Sequence, residues 1–132
     1  LGTFTLVFAG TGAVMVNQIS NGAITHLGIS AVFGAVVAAM IYTFGHISQA
    51  HFNPAVTLAF WRSGFFPKQK VLPYVAAQII GAIAASALLR LSFGNVAKLG
   101  ATLPLNDQWL QAFVLETVLT FIRLALRALR SG

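Results

Sequence analysis

The residues best suited to chemistry cluster in one polar run, Gly45-His46-Ile47-Ser48-Gln49-Ala50-His51-Phe52-Asn53-Pro54-Ala55-Val56-Thr57. His46 and His51 invite a metal or acid–base reading. Two histidines with no cysteine or carboxylate nearby make a poor zinc site, and an acid–base pair needs a substrate pocket. No metal, cofactor or catalytic role is therefore expected, and His46, Ser48 and His51 read as anchors that brace the run through hydrogen bonds. Asn53-Pro54-Ala55 offers different chemistry. Asn is a strong N-cap, and proline suits the first helical position because an N–H there has no intrahelical partner. A helix starting at Pro54 would aim its positive end, and the Asn53 amide, at whatever lies in front of it.

That run follows a long apolar stretch, and the whole chain is built of such stretches. Only 8% of its 132 residues are charged and 58% are hydrophobic. Soluble domains carry about a quarter charged residues, so much of this surface is expected to face lipid. The net charge of +6 does not point to nucleic acid, because no basic patch is interleaved with exposed aromatics. With two acidic residues and no cysteine, the chain has neither a disulfide framework nor the groups of an enzyme.

Four apolar segments are expected as helices: Leu1 to about Val16, about Leu27 to Phe44, about Val71 to Leu91, and about Trp109 to Ile122. A bilayer crossing takes about 20 apolar residues, which the second and third segments meet. The first begins inside an apolar stretch without a basic leader, so it reads as a helix entered partway and not as a signal peptide. A fifth helix, Pro54 to about Trp61, is too short to span and is expected to stop near mid-membrane as a re-entrant half-helix. Polar backbone at that depth is tolerated only where it lines a cavity or is buried in protein. The fold class is thus all-α membrane protein, with about four transmembrane helices and one half-helix.

Arg62, Lys68 and Lys70 follow the half-helix, while Arg123, Arg127 and Arg130 follow the fourth segment. The positive-inside rule puts both groups in the cytoplasm, leaves Arg90 and Lys98 outside, and makes both termini cytoplasmic. Gly34 and Ala38 lie one turn apart in the second segment, and Ala77, Gly81 and Ala85 recur every four residues in the third. Small residues so spaced let helices approach closely in lipid.

The run His46-x-Ser48-x-x-His51-x-Asn53-Pro54-Ala55-Val56-Thr57, placed after an apolar helix, resembles the first Asn-Pro-Ala box of the aquaporin family, the major intrinsic proteins. The resemblance covers residues 1–122. It includes Leu1-Gly2-Thr3-Phe4-x-Leu6-Val7-Phe8 and Pro73-Tyr74-x-x-Ala77-Gln78-x-x-Gly81-Ala82, where Gln78 reads as a scaffold brace. Glu116-Thr117-Val118-Leu119-Thr120-Phe121 resembles the start of the second of the family's two inverted repeats. The resemblance implies a channel for the passive passage of water and small neutral solutes such as glycerol, in a homo-oligomer (the family is tetrameric) in the plasma or inner membrane. It implies that Asn53 donates hydrogen bonds to passing water, that the carbonyls of Gln49, Ala50, His51 and Phe52 accept them, and that Glu116 braces a pore loop. Phe33, twenty residues before Asn53, stands at the family's aromatic selectivity position, where phenylalanine resembles water-selective members. Ile29-Ser30-Ala31-Val32-Phe33-Gly34 and Ile41-Tyr42 are similar to the plant-nodulin-like and bacterial branch, some of which passes larger solutes.

Two departures stand out. Gln49 occupies the family's usual glycine, where a glycine-only backbone angle would strain it by about 1–3 kcal/mol. After Ile122 the family continues with apolar residues, but here Arg123, Arg127 and Arg130 share one helical face, forming a basic C-terminal tail over 123–132. Each costs about 2.5–3.5 kcal/mol at the bilayer centre unless it snorkels to the boundary. With one Asn-Pro-Ala box, the alternative to a channel is a non-conducting half-channel fragment or membrane assembly subunit. An antiparallel dimer supplying both boxes conflicts with the charge bias.

Overall fold

The computed structural model describes residues 1–101 and 108–131; within the last helix, the side chains of 123, 124 and 126–131 fall outside the described set. The chain forms two compact units, Leu1–Ala101 and Thr102–Gly132. The first holds helices α1 (Gly2–Ile19), α2 (Thr25–Ser48), α3 (Pro54–Arg62) and α4 (Lys68–Phe93), followed by a 3-10 turn at Ala97–Gly100. The second holds α5 (Trp109–Ser131). This is an all-α membrane fold: α1, α2 and α4 are each long and apolar enough to cross a bilayer.

Helix α1 runs three residues past the expected end at Val16 because its polar end has structural work in the next connection. The Asn17 Oδ1 accepts the N–H groups of Ile24 at 3.1 Å and Thr25 at 2.8 Å. Two N–H groups that would start α2 without partners are thereby satisfied from the preceding helix. Helix α2 likewise continues past Phe44 to Ser48, where Gln49 closes it in the left-handed region and donates its N–H to Gly45 O at 3.0 Å.

Helix α1 is the hub, packing against α2, α4 and the 3-10 turn, while α3 packs on α4. Glycines make these approaches possible. A side chain at Gly10 would enter the ring of Phe33, one at Gly2 the ring of Phe52, and a Cβ at Gly12 would meet Leu89 at 3.3 Å. Of the spaced small residues, Gly81 faces the Phe4 backbone nitrogen at 3.3 Å from a would-be Cβ, and Ala85 is fully buried. Ala77 is exposed, and Gly34 has open space around it within the chain. Lipid offers helices no hydrophobic reason to associate, so this contact of α1 and α4 rests on close packing. The Gly81→Val chain should lose about 1–3 kcal/mol, because backbone cannot yield as a flexible side chain would. SDS-titrated unfolding checks this.

In the second unit, α5 continues as one helix past the end of the apolar segment at about Ile122, through the arginine-bearing stretch to Ser131. Its apolar part, Trp109–Ile122, is shorter than a full crossing. The shared face expected for Arg123, Arg127 and Arg130 concerns side chains outside the described residues.

Candidate functional site

Asn53, in extended backbone at φ −142° and ψ 131°, caps α3 by accepting the Ala55 N–H on Oδ1 at 2.8 Å, with Pro54 in the first turn. Capping occupies the side-chain oxygen and leaves the Nδ2 donors outside the cap; Asn53 is exposed. Nine residues long, α3 extends about 14 Å, roughly half the thickness of a bilayer core. Its far end closes with Ser63 N–H on Ala59 O at 3.0 Å and Phe65 N–H on Phe60 O at 2.9 Å, across Gly64 at φ +81°. Arg62 sits in the last turn, where a cation complements the helix dipole.

The connection from α2 to α3 is held in an unusual backbone path. Gln49 (φ 60°), Ala50 (φ 46°) and Phe52 (φ 59°) are all left-handed without being glycine. Such angles persist only where surrounding contacts over-determine them. Here Ala50 and His51 are fully buried, and Phe52 is nearly so against Gly2.

His51 is the centre of that clamp. Its ring lies 4.9 Å from Phe60, stacked, 4.9 Å from Phe66, edge-on, and 5.0 Å from Tyr74. The Tyr74 hydroxyl donates to Ser48 O at 2.7 Å and accepts the His51 N–H at 3.3 Å, tying α4 to both sides of the connection. The Ser48 hydroxyl lies 3.2 Å from Phe44 O as donor and accepts the Ala50 N–H at 3.3 Å. Around the ring nitrogens, Nδ1 is 3.1 Å from Thr57 Oγ1 and Nε2 is 3.2 Å from Gln49 Oε1. Thr57, fully buried, accepts a hydrogen bond from Gln78 Nε2 at 3.1 Å, and its hydroxyl lies 3.2 Å from Asn53 O.

The structure thus brings Ser48, Gln49, Ala50, His51, Phe52 and Asn53 into one clamped turn. It leaves His46 exposed in the last turn of α2, without a side-chain hydrogen bond among the described residues. Phe33 packs on Gly10 of α1, and Glu116 lies in α5, in the other unit. No three potential metal ligands come together among the described residues. Sequence reasoning missed Thr57, Tyr74, Phe60 and Phe66 as parts of the clamp. A signal was present: Thr57 and Gln78 are polar groups in otherwise apolar helices, and such groups find partners inside the bundle.

A family model described as Major intrinsic protein matches residues 1–128. The chain is 50% identical over 121 residues to aquaporin NIP1-1 of Zea mays, covering 91% of this chain and 43% of that protein. It is 48% identical over 122 residues to nodulin-26 of Glycine max, covering 92% of this chain and 45% of that protein. With aquaporin NIP1-2 of Arabidopsis thaliana it shares 46% identity over 129 residues, 92% of this chain and 44% of the relative. The chain therefore spans under half the length of these relatives.

Proposed function

The chain belongs to the major intrinsic protein family, whose members are membrane channels, and on that premise we propose that it supplies the first half of a passive pore for water and small neutral solutes such as glycerol. The observation that carries this reading is Asn53, which spends its side-chain oxygen on the helix cap and keeps its amide donors for a permeant. In the proposed pore, α3 enters the bilayer and ends near its middle with its positive end inward. A helix N-terminus carries roughly half a positive charge, which disfavours cations and an excess proton while a polar neutral molecule passes. The carbonyls of Gln49, Ala50, His51 and Phe52 would give water successive acceptors. Phe33 would narrow the path from the α2 side, and Glu116 would brace the opposing loop. No bond is made or broken, so no enzymatic role is assigned.

One half-helix bounds a single-file path on one side only. We assign conduction to an assembly in which a second half-helix faces Asn53, in a homo-oligomer of such channels; a chain without that partner would act as a non-conducting scaffold. The test is a chimera in which residues 1–122 replace the matching part of the maize relative. In proteoliposomes it should shrink quickly in stopped-flow under an osmotic gradient without proton leak, and isotope uptake should then rank glycerol against water. A folded chimera no faster than empty vesicles would overturn the reading.

The basic residues Arg62, Lys68 and Lys70 support a cytoplasmic α3–α4 connection and cytoplasmic termini in the plasma or inner membrane. Because the chain has no cysteine, Ser63→Cys gives a single label. It should react with an impermeant maleimide from the cytoplasmic face alone; labelling from outside would reverse the topology.

A further inference from the structure

The side chain of Gln49 does something that the family's usual glycine has no atoms to do: it reaches the ring of the buried His51. Its Oε1 lies 3.2 Å from Nε2, while the opposite nitrogen, Nδ1, lies 3.1 Å from Thr57 Oγ1. A carboxamide oxygen is an acceptor only, so this contact requires the ring proton on Nε2. In a neutral ring Nδ1 must then accept, and the donor available to it is the Thr57 hydroxyl. Thr57 Oγ1 in turn accepts from Gln78 Nε2 at 3.1 Å. The hydrogen bonds therefore run one way, from Gln78 through Thr57 and His51 to Gln49.

The Thr57 hydroxyl has a competing acceptor. Asn53 O lies 3.2 Å away and already accepts the Thr57 backbone N–H at 3.1 Å. With its proton on Nδ1, His51 would donate to Thr57, and the hydroxyl would turn to Asn53 O. The tautomer of His51 thus decides whether the Asn53 carbonyl is held by one protein donor or two.

We propose that Gln49 is a positioning residue that locks His51 in the Nε2–H tautomer and thereby keeps the Thr57 hydroxyl off the Asn53 carbonyl. The Asn53 carbonyl then accepts the Thr57 backbone N–H alone, which sets how firmly the first turn of α3 holds the residue that carries the amide donors. Gln49 thus acts on the permeation path through two intervening side chains. The consequence for permeation rests on Asn53 facing the passage; the tautomer lock does not, since it is a property of the folded first unit.

The test reads the tautomer directly, by nitrogen-15 NMR of the full chain labelled on histidine and held in lipid nanodiscs. His51→Gln identifies the His51 signals among the three histidines. The wild-type ring should show one protonated nitrogen, Nε2. In Gln49→Gly the ratio of Nε2–H to Nδ1–H should fall about tenfold, corresponding to one net hydrogen bond of about 1.4 kcal/mol. That variant keeps its fold, because glycine adopts the φ of 60° without strain. Gln49→Glu, whose carboxylate also accepts, should keep a proton on Nε2. A wild-type ring protonated on Nδ1, or a ratio unchanged in Gln49→Gly, overturns the proposal whether or not any assembly conducts.

Discussion

Replacing His51 with alanine should cost on the order of 3–5 kcal/mol, the range for removing a large buried ring. The ring is fully buried among Phe60, Phe66 and Tyr74, so truncation opens a cavity that the three aromatics cannot fill without moving α3 from α4. It also removes one partner of the buried Thr57 hydroxyl, leaving Asn53 O as its acceptor. Gln78 Oε1 is already buried without a hydrogen bond among the described residues, so the polar cluster has little left to rearrange with, and each further orphaned group costs about 1–3 kcal/mol. Denaturation of the reconstituted chain by SDS titration measures the loss. A change below about 0.5 kcal/mol, the level of an ordinary surface substitution, would mean that the ring sits in a solvated loop and that the left-handed turn is held by something else.

Asn53 should separate two roles that a single substitution usually confounds. In the chimera, Asn53→Ala removes both the helix cap, worth about 1 kcal/mol, and the amide donors. Asn53→Ser keeps a capping oxygen of comparable quality, but its one hydroxyl donor sits on a shorter side chain and does not reach the position of the amide donors. Both variants should slow osmotic water flow about tenfold, since a permeating water deprived of one hydrogen bond of about 1.4 kcal/mol meets a correspondingly higher barrier. Only the alanine variant should also lose stability. Equal flow in wild type and Asn53→Ser would assign the residue to capping alone.

The asymmetry between helix and loop explains what the sequence made legible. The half-helix was readable because Asn53, Pro54 and the closing Ser63-Gly64 are local signals whose meaning does not depend on neighbours. Helix ends governed by distant partners were not. Asn17 lies just past the expected end of the first segment at about Val16, yet it is consumed in capping α2 eight residues later, and Ser48 extends α2 because the Tyr74 hydroxyl from α4 donates to its carbonyl and accepts the His51 N–H. Gln49 was legible as a strained replacement because the family resemblance implies a glycine there, and its backbone is left-handed. Its bond to His51 was not, because side-chain direction in a left-handed residue depends on the three-dimensional path of the turn. The glycines of α1 were missed for a related reason: Gly2, Gly10 and Gly12 do not share one four-residue repeat, because they receive side chains from three different segments.

The most direct test of the central claim, that the turn at Asn53 borders the permeation path, is chemical block at the neighbouring position. Ala55 is exposed and nearly isosteric with cysteine, so Ala55→Cys in a chimera otherwise free of cysteine leaves the cap and the clamp intact. Water flow by stopped-flow should match the parent before treatment, fall to the level of lipid alone after a small methanethiosulfonate reagent, and recover on reduction. Complete labelling of the cysteine with undiminished flow would place the path elsewhere.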